Sequence, residues 1–358
     1  MLKLFKTKKC ANCRQTLGPK CPHFCAPNPR PNRSPKKAVI VGISYHNNPK
    51  HEINGGSVYA GLMRLLLINH FNFPDDDSSI KMLTEREGNI LPTKQNIIWA
   101  MDWFVEGCQP QDSLVFYYFG HGSQQRNIKG EEKDGYDETL WPLDFENGVI
   151  VDDEINETLV KPLPDGVRLH AFVDASHSGT VLDLPFFCRR SRLFRKYKWE
   201  DHRPKTGARK GSSGGQVICF SGCDDGEAYD NNSSSKMRCV GAMTICFINA
   251  IEKGHGKTYG SILRSMRKAI RNDDSDAGLT VEQIAEITIL IVSTVELTTQ
   301  ITTLIVGIND CGILGAILGS TSRAVIEVGM EMLRGIRRQK PRLTASDRFD
   351  VDKKPFFL

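Results

Sequence analysis

Five short apolar runs, each separated from the next by polar or helix-patterned sequence, set the limits on what this chain can fold into. They are Ala38-Val-Ile-Val-Gly-Ile-Ser44, Ile80 to Leu83, Ser113-Leu-Val-Phe-Tyr-Tyr-Phe119, Val167-Arg-Leu-His-Ala-Phe-Val173 and Gln216 to Ser221. Each reads as a strand, and the first, Ala38 to Ser44, suits a strand buried on both faces. Between them lie stretches with helical spacing. Tyr59 to Asn69 carries Leu62, Leu65, Leu66 and Leu67, and Gln95 to Val105 follows Thr93, a natural N-cap. Further helices are expected around Ala242 to Glu252 and Ser261 to Asn272. Strands alternating with helices imply an α/β fold, a mainly parallel sheet with helices on both faces.

The first 36 residues are a different kind of sequence, a Cys-rich and Pro-rich arm ahead of a domain spanning 37–358. Cys10-x2-Cys13 and Cys21-x3-Cys25 could supply four thiolates to Zn²⁺, although the gap between the pairs is short for a zinc ribbon. The Pro27 to Pro35 stretch reads as a linker. No acidic residue precedes Glu52, while Lys and Arg recur from Lys3 to Lys37. Such an arm is more often a solvated tail than a nucleic-acid contact, so no nucleic-acid partner is expected. Eleven cysteines, an odd number, and the lack of an apolar leader favour reduced thiols in the cytoplasm or the nucleus.

One segment resists the α/β pattern. Residues 278–324 are rich in Ile, Val, Thr, Leu and Gly, with Ile287 to Val306 the most apolar stretch. Glu296, Thr298, Thr299 and Gln300 interrupt it near its middle, which argues against a membrane span because charge at mid-bilayer is costly. It reads as an atypical insertion.

Ligands of open parallel sheets bind beyond the carboxyl ends of the strands. Two strand ends carry polar segments there: Gly120-His121-Gly122 and Asp174-Ala-Ser-His-Ser-Gly179. A histidine and a small nucleophile on neighbouring strand ends can form a nucleophile–base pair, here His121 and Ser176. A histidine between two glycines can equally serve only to bond within a turn.

The ordered motifs Tyr118-Phe-Gly-His-Gly-Ser-Gln-Gln125, Asp134-Gly-Tyr-Asp-Glu-Thr139, Val151-Asp-Asp-Glu-Ile155, Asp174-Ala-Ser-His-Ser-Gly-Thr-Val-Leu-Asp-Leu-Pro185, Ser221-Gly-Cys-Asp-Asp225 and Pro341-Arg-Leu-Thr-Ala-Ser-Asp-Arg-Phe-Asp350 together resemble a plant type I metacaspase. The resemblance implies a caspase-like fold and a Ca²⁺-activated cysteine endopeptidase cleaving protein substrates after Arg or Lys. It places His121 on the family's catalytic histidine and Ser176 on its catalytic cysteine. The N-terminal arm is more loosely similar to the family's zinc-finger prodomain.

By the same resemblance, the pocket for the substrate's basic side chain falls on Gly56, Tyr59, Phe119 and Asp174. The family pattern has a cysteine, an aspartate, a serine and an aspartate there, so only Asp174 is retained. Asp137, Asp152, Asp153 and Asp183 match the family's Ca²⁺ ligands, and clustered carboxylates are what this ion prefers. The basic run from Arg189 through Lys198 and on from Arg203 to Lys210 resembles the loop at which active relatives are cut. A thiol is readily made a thiolate by a neighbouring imidazole, whereas a serine hydroxyl is far less acidic. Nucleophile and pocket have therefore changed together. The reading that follows is a catalytically impaired member of a cell-death and stress pathway that binds protein substrates or other metacaspases. The alternative is an endopeptidase that uses the His121–Ser176 pair. No membrane partner is expected.

Overall fold

The computed structural model describes residues 35–128, 132, 135–191, 196–203, 211–222, 241–271 and 341–358. Cys10, Cys13, Cys21, Cys25 and the 278–324 insertion lie outside the described residues.

In chain order the elements are β1 (Lys36–Gly42), α1 (Gly56–Phe71), β2 (Ile80–Thr84), α2 (Lys94–Val105), β3 (Ser113–Phe119), β4 (Gly122–Arg126), β5 (Tyr136–Leu140), β6 (Ile150–Val151), α3 (Asp152–Ile155), β7 (Arg168–Asp174), β8 (Phe186–Arg190), β9 (Tyr197–Asp201), β10 (Gln216–Ser221), α4 (Ala242–Glu252), α5 (Tyr259–Arg271) and β11 (Arg342–Ala345). The main sheet has the order β2-β1-β3-β7-β10-β11-β8-β9. Its first five strands are parallel, and β11, β8 and β9 extend it antiparallel. A separate antiparallel sheet, β4-β5-β6, stands beyond the end of β3.

All seven residues of β3 are buried, as double-faced packing requires of a central strand. α1 lies so close to β1 that a Cβ at Gly42 would meet the Gly56 carbonyl oxygen at 2.2 Å, and one at Gly56 would meet the Ile43 carbonyl carbon at 2.5 Å. Only glycine allows that approach. α2 starts where Thr93 Oγ1 accepts the Asn96 N–H at 3.3 Å, the expected cap.

The five parallel strands fall within two residues of the sequence expectation. β4, β5, β6, β8 and β9 carry too little hydrophobic alternation to be read as strands. The run read as a cleavage loop is in part a hairpin: Arg189 pairs with Lys198 and Arg190 with Tyr197 across β8 and β9. Its aromatic residues anchor it, with Phe187 buried and Trp199 Nε1 donating to the Phe349 carbonyl at 2.7 Å.

Candidate active site

β3 and β7 are neighbours, with Phe119 opposite Asp174 at their carboxyl ends. His121 and Ser176 each lie two residues beyond those ends. A Cβ at Gly122 would come within 2.2 Å of the Ser176 carbonyl oxygen, so the two turns are in direct contact. The topology thus brings together the two residues that the sequence singled out. Ser176 is half-buried in a tight turn: His177 follows at φ 50°, and the buried Ser178 Oγ donates to the Ala175 carbonyl at 2.8 Å.

His121 is held from several sides. Its Nε2 lies 2.7 Å from the His51 carbonyl oxygen. A carbonyl can only accept, so Nε2 carries the proton and Nδ1 keeps its lone pair, the form needed in a base. The His121 N–H donates to Tyr45 Oη at 3.0 Å, and the rings of Tyr45 and Trp141 lie 4.8 and 5.5 Å from the imidazole. Burial pushes its pKa below the ordinary histidine value, against a smaller opposing effect of the His51 bond. It is therefore neutral at pH 7.

Tyr45 is itself positioned by Glu85. One Glu85 oxygen accepts the Ser44 and Tyr45 N–H groups, the latter at 3.0 Å, and the other accepts His46 N–H at 2.9 Å. His51, Trp141, Tyr45 and Glu85 carry no signal in the sequence, because their roles rest on loop contacts rather than on periodicity.

The expected substrate pocket is packed shut. The rings of Tyr59 and Phe119 stack at 4.5 Å and 20°. Tyr59 is 3% exposed, while Phe119 and Asp174 are fully buried. A Cβ on Gly241 would lie 2.4 Å from Tyr59 Oη, so that ring is closed in from the start of α4 as well. Asp174 Oδ2 accepts both the Thr244 N–H at 2.9 Å and its Oγ1–H at 2.7 Å. The retained aspartate therefore serves the N-terminus of α4, where the helix favours negative charge. Gly56 is a packing contact between α1 and β1 rather than an open wall of the pocket.

A second group of carboxylates gathers around β5 and α3. Glu132, Asp137 and Asp152 each place an oxygen within 4.8 Å of the others. Asp152 is fully buried, and Asp137 and Asp183 nearly so. Asp152 Oδ2 and Oδ1 accept the Glu138 and Asp153 N–H groups, both at 2.8 Å. Even so, burial first, and then the negative charges of Asp183 and Asp137, push the Asp152 carboxyl up to about 7. Mutually repelling buried carboxylates with hard oxygen donors fit a divalent cation such as Ca²⁺. Of the four aspartates expected there, Asp137 and Asp152 share the cluster, Asp183 stands close enough to act on Asp152, and Asp153 contributes its backbone N–H to Asp152. Glu132 lies outside the expected set, and the acidic run from Glu131 to Asp134 is the signal for it in the sequence.

A mainly parallel sheet with helices, carrying His121 and Ser176 on adjoining turns at its carboxyl edge, is a caspase-like fold. The family model for the metacaspase domain, described as "Metacaspase, peptidase C14 domain", matches residues 36–185. Metacaspase-1 of Arabidopsis thaliana is 48% identical over 328 residues, covering 90% of this chain and 78% of that protein. Metacaspase-2 of the same plant is 45% identical over 335 residues, covering 92% and 74% respectively. Metacaspase-1 of Yarrowia lipolytica is 32% identical over 273 residues, covering 66% and 59%. A solved protein of Geobacter sulfurreducens is similar at 21% identity with a TM-score of 0.44, covering 68% of this chain and 90% of that one, too distant to bear on the site. The chain belongs to the metacaspase family, with the plant members.

Proposed function

We propose that this metacaspase does not cleave after Arg or Lys, and acts instead by binding protein substrates or partner metacaspases in cell-death and stress proteolysis. The observation that carries the reading is the Tyr59–Phe119 stack, which fills the space a basic side chain would need. Asp174, the carboxylate meant to pair with that side chain, is already engaged by Thr244. A guanidinium forced in there would leave donors unpaired, at about 1–3 kcal/mol each. Ser176 adds to this: its hydroxyl is a weaker nucleophile than a thiol in a site laid out for the longer C–S bond. Ca²⁺ at the Asp137–Asp152 cluster would then steady the region around β5 and α3 in a binding protein.

A second reading rests on His121, whose supports all remain in place. It is an endopeptidase in which His121 Nδ1 takes the proton of Ser176 Oγ. Cleavage of a fluorogenic Arg-terminated peptide, with and without Ca²⁺, separates the two. The binding reading expects no cleavage by the native chain or by Ser176→Cys, with activity emerging only when Ser176→Cys is combined with Tyr59→Asp and Phe119→Ser. Cleavage by the native chain that His121→Ala abolishes would establish the peptidase instead.

A further inference from the structure

α5 presents two faces. Ile262, Leu263, Met266 and Ala269 are buried in the hydrophobic core. Ser261, Arg264, Ser265 and Lys268, spaced i, i+3, i+4 and i+7, form a polar stripe on the other side. A stripe of this kind is ordinarily a solvated face. Here it forms one wall of a surface cavity of about 380 Å³, closed on the other side by Asn249 and Lys253 from the end of α4 and by His255 from the α4–α5 turn.

The lining is all donor-rich and carries no carboxylate. Lys253, Arg264 and Lys268 are exposed, so their charged heads need no desolvation before a ligand arrives. Arg264 is engaged by Asp352, but among the described residues Lys253 and Lys268 have no acidic partner. Two unpaired ammonium groups facing one cavity repel each other, and an anion between them relieves that repulsion. The two hydroxyls hold the wall of the cavity in shape. Ser261 Oγ donates to the His255 carbonyl at 2.6 Å, and His255 Nδ1 lies 2.9 Å from Ser265 Oγ, which fixes the turn against the helix.

We infer that this cavity between α4 and α5 is a binding site for a small, multiply charged phosphate anion. Two ammonium groups without acidic partners among the described residues, with the remaining Arg264 donors and the Asn249 amide beside them, suit the many acceptor oxygens of a diphosphate better than the single charge of a carboxylate. The site lies on α4 and α5, away from the His121–Ser176 turns, and the inference stands whether or not the chain cleaves peptides.

The test is isothermal titration of the full chain in Ca²⁺-free buffer with sodium pyrophosphate, inorganic phosphate and citrate in turn. Pyrophosphate is expected to bind most tightly. Lys253→Ala/Lys268→Ala should weaken it by roughly tenfold or more, and the native affinity should fall as salt is added. Both lysines are exposed, so the double variant should keep its fold, which circular dichroism checks. Lys50→Ala/Arg86→Ala removes the same charge outside the cavity and should leave binding unchanged. No heat with pyrophosphate would overturn the inference, as would citrate binding as tightly as pyrophosphate, or equal weakening by the two double variants.

Discussion

The Phe119 ring stacks on Tyr59 at 4.5 Å, while the Phe119 backbone sits opposite Asp174 in the β3–β7 register. One residue thus joins the carboxyl edge of the sheet to the first helix, at the place where the sequence resemblance leads a pocket to be expected. The same contact that closes the pocket also holds α1 against β3.

It follows that Tyr59→Ala costs stability as well as opening space. Truncating a buried aromatic ring typically costs about 3–5 kcal/mol. Urea unfolding should show a midpoint well below that of the native chain, with little change in slope. A loss under about 1 kcal/mol would mean that the ring is not packed as described.

Gly122→Ala tests the contact between the two turns. An added Cβ would lie 2.2 Å from the Ser176 carbonyl oxygen, a backbone atom that cannot simply swing away. The expected cost is about 1–3 kcal/mol, with the His121 and Ser176 turns forced apart. Ring-proton chemical shifts of His121 should move in the variant; unchanged shifts would argue that the turns are not in contact.

Acid should weaken the fold through His170. This residue in β7 is fully buried, with Nε2 2.7 Å from Tyr259 Oη, and its Nδ1 has no hydrogen-bond partner. Burial first, then the charges of Arg168 and Lys354, lower its pKa to about 3. The folded value lies below the unfolded value of about 6.5, so the unfolded chain binds the extra proton. The contribution to stability is present above about pH 6.5 and is lost as pH falls toward 3, at about 1.4 kcal/mol per pH unit. Denaturation of His170→Gln across that window should show a slope shallower by close to one proton. An identical slope would remove His170 as the cause.

The carboxylate cluster predicts a calcium effect on stability. A ligand at a hundred times its dissociation constant stabilises the folded state by about 2.7 kcal/mol. Ca²⁺ should therefore raise the melting temperature of the native chain, and a chelator should reverse the rise. Asp152→Asn, which removes the buried charge at the centre of the cluster, is expected to abolish the shift. A full shift retained in that variant would exclude the cluster as the ion's site.

Much of the molecule was legible without coordinates. The runs at 38–44, 80–83, 113–119, 167–173 and 216–221 read as strands, being short, mainly apolar and separated by helix-patterned sequence. Their spacing by helices then required parallel crossovers, and parallel crossovers put His121 and Ser176 at one edge of the sheet. The β8–β9 hairpin stayed hidden because Arg189, Arg190 and Lys198 give it the charge of a loop. It is held by Phe187 and Trp199 against partners distant in the chain.

The sequence by itself determined the order of the five parallel strands and the main helices between them, and the residue types at the His121 and Ser176 turns, because local hydrophobic periodicity and glycine placement dictate both. Tertiary structure alone decided what those residues do. It turned Tyr59 and Phe119 from the walls of a pocket into its filling, committed Asp174 to the start of α4, and brought Glu132 beside Asp137 and Asp152. Each of these depends on the approach of segments far apart in the chain, and such distances are set by how the core packs rather than by any local pattern.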